Sequence, residues 1–148
     1  MLAAVGAHGD SFYVFGGAAL EAGPDGKPVR EWLRDADRYT PGKGWNRIAD
    51  LPRPAVAAPS PAPGLNGRLL ILGGDDGTQV NTPPAEHKGF PQEVLAYDPK
   101  TDRWEPLGEA PFSLVTTLTV VWNQQIVIPG GESRPGIRST EVWSARAR

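Results

Sequence analysis

The chain has 148 residues, 39% apolar and 22% charged, with a net charge of −2. That length suits one domain, and the charge offers no basic footprint for nucleic acid. Cysteine is absent, which excludes disulfides and thiolate metal sites, and no apolar stretch reaches the roughly 18 residues of a membrane span.

Residues 1–10 lack the charged start and long apolar core of a signal peptide. Helical spacing is nowhere sustained over three turns, and 18 Gly and 16 Pro suit many short strands joined by turns. The first unit opens with small residues at 3–5 and turns at Gly9-Asp10. It continues in the apolar run Phe12, Tyr13, Val14, Phe15, which ends at Gly16-Gly17. A loop at 18–30 leads to a third strand expected at 33–39. A turn with Pro41 and Gly42 leads to a fourth strand around Trp45. The second unit repeats the pattern: small residues at 55–58, a turn at Asn66-Gly67, and the run Leu69, Leu70, Ile71, Leu72 before Gly73-Gly74. Asn-Gly is a strong hairpin signal. A loop at 75–91, a third strand at 93–97 and a fourth around Trp104 follow. The third unit has a strand at 115–121, a turn at Asn123-Gln124, and Ile126, Val127 and Ile128 before Gly130-Gly131. Its third strand is expected at 140–143, and no fourth precedes residue 148. Gly73 stands 57 residues after Gly16, and Gly130 stands 57 after Gly73. Self-similarity at a fixed period means one supersecondary unit used several times. The consecutive apolar residues of each second strand predict strands covered on both faces.

Four strands per unit, Gly-Gly after the second, and the pairs Tyr39…Trp45 and Tyr97…Trp104 resemble the kelch repeat. Its units are the four-stranded blades of a β-propeller. The resemblance covers essentially the whole chain. It implies an all-β, kelch-type β-propeller of about two and a half to three blades, at 3–51, 55–108 and 114–148, the last without its fourth strand. On this reading Ala3, Ala4, Ala57 and Ala58 relieve crowding at the axis. Gly-Gly permits close backbone approach, and Trp45 and Trp104 fill the space between blades. Propellers close with about four to eight blades. The chain is therefore expected to be the C-terminal half of a six-bladed ring, with Met1 inside a strand as at an internal start. Closure would need the remaining blades of a longer chain or a second copy.

The residues after each Gly-Gly are expected at one end of the disc: 18–30, 75–91 and 132–139, with the links 52–54 and 110–113. Concave ends of such folds bind small ligands. In the third loop, Pro135-Gly136 is a turn signal that brings Glu132 and Arg138 to one side. The pair offers a proton acceptor beside an anion receptor, or a simple loop salt bridge, which spacing alone favours. Asp75 and Asp76 are candidates for sugar hydroxyls or a cation, against the simpler reading of a polar turn. Arg134 is a further candidate substrate contact. His8 and His87 lie far apart and form no ligand cluster, so no metal is expected. Arg30 and Arg34 flank Trp32 as a sugar platform or, more simply, a solvated strand edge.

The stretch 93–104, then Gly108-Glu109-Ala110-Pro111, and above all Gly131-Glu132-Ser133-Arg134-Pro135-Gly136-Ile137-Arg138, resemble the bacterial N-acetylneuraminate epimerases (sialic acid mutarotases). These are six-bladed kelch propellers. The resemblance implies that Glu132 is the proton acceptor, that Arg138 assists it, and that the partner is a small sugar acid. No cofactor, nucleic acid or membrane is expected. In well-known members this blade lies mid-chain, whereas here it ends the chain, which implies a circularly permuted relative. The expected activity is interconversion of the α and β anomers of N-acetylneuraminate by acid/base ring opening. The alternative is a non-catalytic kelch module that binds protein or carbohydrate. A copper radical oxidase resembling galactose oxidase would need a Tyr–Cys cross-link, which a chain without cysteine cannot form. The compartment stays open: periplasmic or secreted if the full-length chain carries a signal peptide.

Overall fold

The computed structural model describes residues 1–146, which form eleven strands and no helix. Three antiparallel sheets follow one another along the chain. The first joins β1 (Ala4–His8), β2 (Ser11–Ala22), β3 (Pro28–Thr40) and β4 (Gly44–Arg47) in that order. The second joins β5 (Gly64–Leu65), β6 (Arg68–Leu72), β7 (Glu93–Asp98) and β8 (Arg103–Glu109). The third, of three strands among the described residues, joins β9 (Val120–Trp122), β10 (Gln125–Arg134) and β11 (Ile137–Arg146). Each is a simple meander, and together they are stacked blades of a kelch-type β-propeller. Two-residue turns close the first hairpins of sheets two and three. Positive φ at both central residues, 51° and 76° at Asn66-Gly67 and 47° and 58° at Asn123-Gln124, matches the right-handed twist of the strands they join.

The core lies between the sheets. β6 alternates strictly: Leu69 and Ile71 join Tyr13, Phe15 and Tyr97 in a cluster shared by sheets one and two. Leu70 and Leu72 join Ile126, Ile128 and Phe112 in a cluster shared by sheets two and three. Its unbroken apolar run thus serves two interfaces, because residues one apart on a strand face opposite ways. The outer sheets have one covered face each. Phe12 on β2 points away from the core and is 40% exposed.

Several expectations need correction. The strand begins at Ala4, so Met1 precedes it. In sheet two the inner strand is Gly64–Leu65, not 55–58. Of residues 55–58, only Val56 bridges, to Asp75, and Ala57 sits at φ 55°. In sheet three the inner strand is Val120–Trp122, shorter than 115–121. β2 and β10 run through their glycine pairs rather than ending there. Their pairing slips between Phe15 and Gly17 and between Pro129 and Gly131, as at a β-bulge. Trp104 does fill the space between sheets one and two, packing edge-on against Phe15 and tilted against Tyr97 and donating its Nε1–H to the Ala49 carbonyl at 2.9 Å. Trp45 does not: it is 57% exposed, resting on Phe12 and Tyr39 on the uncovered face of sheet one.

The glycine pairs serve close approach. A Cβ at Gly73 would lie 2.6 Å from the Pro91 carbonyl on the way into the third strand. A Cβ at Gly74 would lie 3.0 Å from the backbone of Ala55 in the inner link. Both glycines have positive φ, 66° and 94°, which an L side chain rarely adopts.

Candidate functional site

The residue immediately after each glycine pair is held the same way. Ala18 donates its N–H to the Met1 carbonyl at 2.7 Å, and its carbonyl accepts from the Met1 terminal ammonium at 2.6 Å. Asp75 exchanges two backbone hydrogen bonds with Val56, both 2.8 Å, and Glu132 two with Val115, both 2.9 Å. Ala18, Asp75 and Glu132 are therefore equivalent positions of the repeat. The fold fixes the backbone of Glu132 before its side chain does any chemistry.

Beyond Glu132 the chain forms a tight hairpin. Glu132 pairs with Arg138 and Arg134 with Ile137, and Pro135-Gly136 makes the turn, with Gly136 at φ 76°. The Glu132 carboxylate accepts the Gly136 N–H at 2.8 Å through Oε1. Its Oε2 lies 3.0 Å from Arg138 Nη1. The side-chain exposures differ: 18% for Glu132 and 65% for Arg138. The acid is therefore shielded and aimed, while the guanidinium stands in solvent, able to exchange its partner. Arg134 is exposed at the hairpin tip and makes no ion pair among the described residues.

The structure does not bring Asp75 and Asp76 to this hairpin through any contact. Both oxygens of Asp75 are engaged, Oδ2 by Trp32 Nε1–H at 3.1 Å and Oδ1 by Gly77 N–H at 2.9 Å. Asp76 Oδ1 accepts the N–H and hydroxyl of Thr78. The bonds to Gly77 and Thr78 are turn-forming, whereas the bond from Trp32 comes from sheet one. Trp32 is tied to the loop of sheet two, with Arg30 over its ring at 5.7 Å. His87 is buried, and its Nδ1 accepts the Gly89 N–H. No three acidic or histidine side chains converge as metal ligands among the described residues.

Two side chains that the sequence reading passed over organise this end. Ser113 Oγ accepts the Phe90 N–H, donates to the Phe90 carbonyl at 2.8 Å, and reaches the Ser133 carbonyl at 3.5 Å. It ties the long loop of sheet two to the hairpin that carries Glu132. Arg53, 16% exposed, donates to Glu93 Oε2 and to the carbonyls of Pro54, Gly73 and Glu93. Neither carries a sequence signal, since a lone Ser or Arg in a link looks solvated.

No family model matches the chain. It is 31% identical over 166 residues to an N-acetylneuraminate epimerase of Yersinia enterocolitica, covering 92% of this chain and 41% of that protein. It is 32% identical over 96 residues to a kelch repeat and BTB domain-containing protein of Danio rerio, covering 65% of this chain and 15% of that one. The solved structure of YjhT superposes on 98% of this chain with a TM-score of 0.76 at 19% identity, over 48% of its own length. The chain thus spans under half the length of each of these relatives.

Proposed function

We propose, from the premise that this chain is a kelch-type propeller resembling the N-acetylneuraminate epimerases, that its loop face binds a sugar acid and interconverts its anomers. The observation that carries this is the Glu132–Arg138 pair. A shielded carboxylate is positioned by a backbone N–H, beside a solvent-facing guanidinium at 3.0 Å. A substrate carboxylate would draw Arg138 onto itself, since guanidinium and carboxylate pair bidentately. That releases Oε2 of Glu132 toward the anomeric hydroxyl.

Glu132 then takes the hydroxyl proton as the anomeric carbon–ring oxygen bond breaks. Glu132 passes that same proton to the ring oxygen, giving the open-chain 2-keto acid and regenerating the carboxylate. On reclosure Glu132 takes the proton of the attacking hydroxyl and passes it to the carbonyl oxygen, and attack on the other carbonyl face gives the other anomer. The reaction is isoenergetic in bonds and needs no oxidant or reductant.

The test is anomer exchange of N-acetylneuraminate followed by NMR, comparing the protein with Glu132→Gln. General acid/base help is worth about 10²–10⁴-fold, so the catalysed component should vanish in the variant. An unchanged rate in a folded Glu132→Gln protein removes Glu132 from the mechanism. Sugar binding without faster exchange in the unaltered protein would leave a carbohydrate-binding module.

A further inference from the structure

Glu132 gives up one of its two side-chain partners when Arg138 turns to a substrate carboxylate. The bond that remains, from the Gly136 N–H to Oε1 at 2.8 Å, lies within the same hairpin and moves with it. Where Oε2 then stands depends on how the hairpin itself is moored.

One short link moors it at two points. Val115 exchanges two backbone hydrogen bonds with Glu132. Ser113, two residues earlier, reaches the carbonyl of Ser133, the next residue after Glu132, at 3.5 Å. Ser113 is in turn clamped to the long loop of sheet two. Its Oγ accepts the Phe90 N–H and donates to the Phe90 carbonyl at 2.8 Å. A hydroxyl has a single hydrogen, so the short bond to Phe90 takes the larger share and close packing supplies the rest of the hold on Ser133. That packing is tight: a Cβ on Gly89 would lie 2.9 Å from Ser113 Oγ and 3.6 Å from the Ser133 carbonyl.

The loop is fixed on its own side of this junction. The Gln79 side chain donates to the Gly89 carbonyl at 2.7 Å and accepts the Lys88 N–H at 2.9 Å. The buried His87 accepts the Gly89 N–H through Nδ1, and its ring lies 5.0 Å from that of Phe90. The equivalent link one blade earlier has no such brace. Val56 holds Asp75 as Val115 holds Glu132, and the residue two before Val56 is Pro54, which has no hydroxyl. The brace stands beside the aimed carboxylate and not beside the one spent on Trp32 and Gly77.

We propose that Ser113 is a positioning residue for Glu132. It braces the hairpin against residues 87–90, so that Oε2 keeps its place when Arg138 leaves it. This inference rests on the reading of Glu132 as proton acceptor. Ser113 bonds neither the Glu132 carboxylate nor Arg138, so its effect falls on the aim of the base and not on capture of the substrate carboxylate.

The first readout is the Gly136 amide resonance of the ¹⁵N-labelled full-length protein, which reports the bond to Oε1. Glu132→Ala supplies its position with no acceptor. Ser113→Ala and Gly89→Ala, which disturb the junction from its two sides, should each move that resonance most of the way to the Glu132→Ala position. Ser11→Ala, which removes a hydroxyl contact with Thr40 in sheet one, should leave it in place. The second readout is anomer exchange of N-acetylneuraminate by NMR. Ser113→Ala should lower kcat about ten- to a hundredfold, as a misplaced catalytic group does. KM should stay within about twofold, because the groups that bind the carboxylate are untouched. A Gly136 resonance unmoved in both junction variants, or moved as far by Ser11→Ala, overturns the proposal. So does a raised KM with kcat unchanged. If the unaltered protein does not speed exchange, the catalytic reading falls by itself, and the Gly136 resonance alone decides whether Ser113 positions the carboxylate.

Discussion

Gly73→Ala tests whether the glycine pairs are there for conformation or for contact. Gly73 sits at φ 66°, and a Cβ there would lie 2.6 Å from the Pro91 carbonyl. Left-handed backbone costs an L-residue about 1–2 kcal/mol. The clash adds a second cost, because Pro91 cannot retreat freely. The following residues are pinned by Gly73 N–H to the Glu93 carbonyl at 3.1 Å and by Ala110 N–H to the Gln92 carbonyl at 2.8 Å. Overpacking of this kind costs about 1–3 kcal/mol, so the sum is about 3 kcal/mol. Gly67→Ala is the control. Its φ is 76°, yet nothing lies within 4 Å of an added Cβ, so only the backbone cost of about 1 kcal/mol applies. Urea denaturation of the two variants should therefore differ by about 2 kcal/mol, or about 4–8 °C in Tm for a chain of this size. Equal destabilisation would show that the close approach contributes nothing and that φ alone selects glycine.

Trp104→Ala should cost about 3 kcal/mol, the low end for truncating a large aromatic, because Trp104 is only partly buried. Trp45→Ala, at 57% exposure, should stay within about 0.5 kcal/mol by the same chemical unfolding measurement; equal costs would contradict the assignment of covered and uncovered faces. Burial, then its hydrogen bond to Asp102, raises the Tyr97 hydroxyl well above the usual tyrosine value. The folded state then holds that proton longer than the unfolded chain, so the stabilisation is complete below about pH 10 and declines as pH rises further. Tyr97→Phe should flatten the loss of stability between pH 9 and 11, measured as the urea midpoint against pH, and an unchanged slope would refute the linkage.

The repeat was legible because glycine pairs are rigid markers of a backbone demand, and Asn66-Gly67 marked a turn that only positive φ allows. What misled was residue size. The alanines at 55–58 suggested a strand, whereas that segment is a link with one bridge at Val56, passing so close to Gly74 that a Cβ there would lie 3.0 Å from Ala55 and Ala58. The run Leu69 to Leu72 signalled two covered faces correctly, yet the similar run ending in Phe15 belongs to an outer sheet, and sequence does not say which blade has a neighbour. At the site, Pro135-Gly136 sufficed to predict that Glu132 and Arg138 meet. Asp75 and Asp76 were candidates for sugar hydroxyls or a cation, but Asp75 Oδ1 and Asp76 Oδ1 accept N–H groups two residues on, as the simpler reading of a polar turn expects, and Asp75 Oδ2 accepts the Trp32 indole N–H.

The reciprocal backbone bonds at Ala18, Asp75 and Glu132 separate two kinds of selection. The backbone of each position is held main chain against main chain, while the side chains have different settings: Ala18 is buried, Asp75 is bonded to Trp32 and Gly77, and Glu132 meets Arg138. The three blades carry a methyl, a turn-capping carboxylate and an aimed carboxylate on one geometric mount. Such a mount fixes where a side chain stands, and the packing around each blade then decides whether that place can hold a carboxylate: the buried place at Ala18 cannot do so without burying a charge, whereas the place at Glu132 keeps its acid beside a solvent-facing cation.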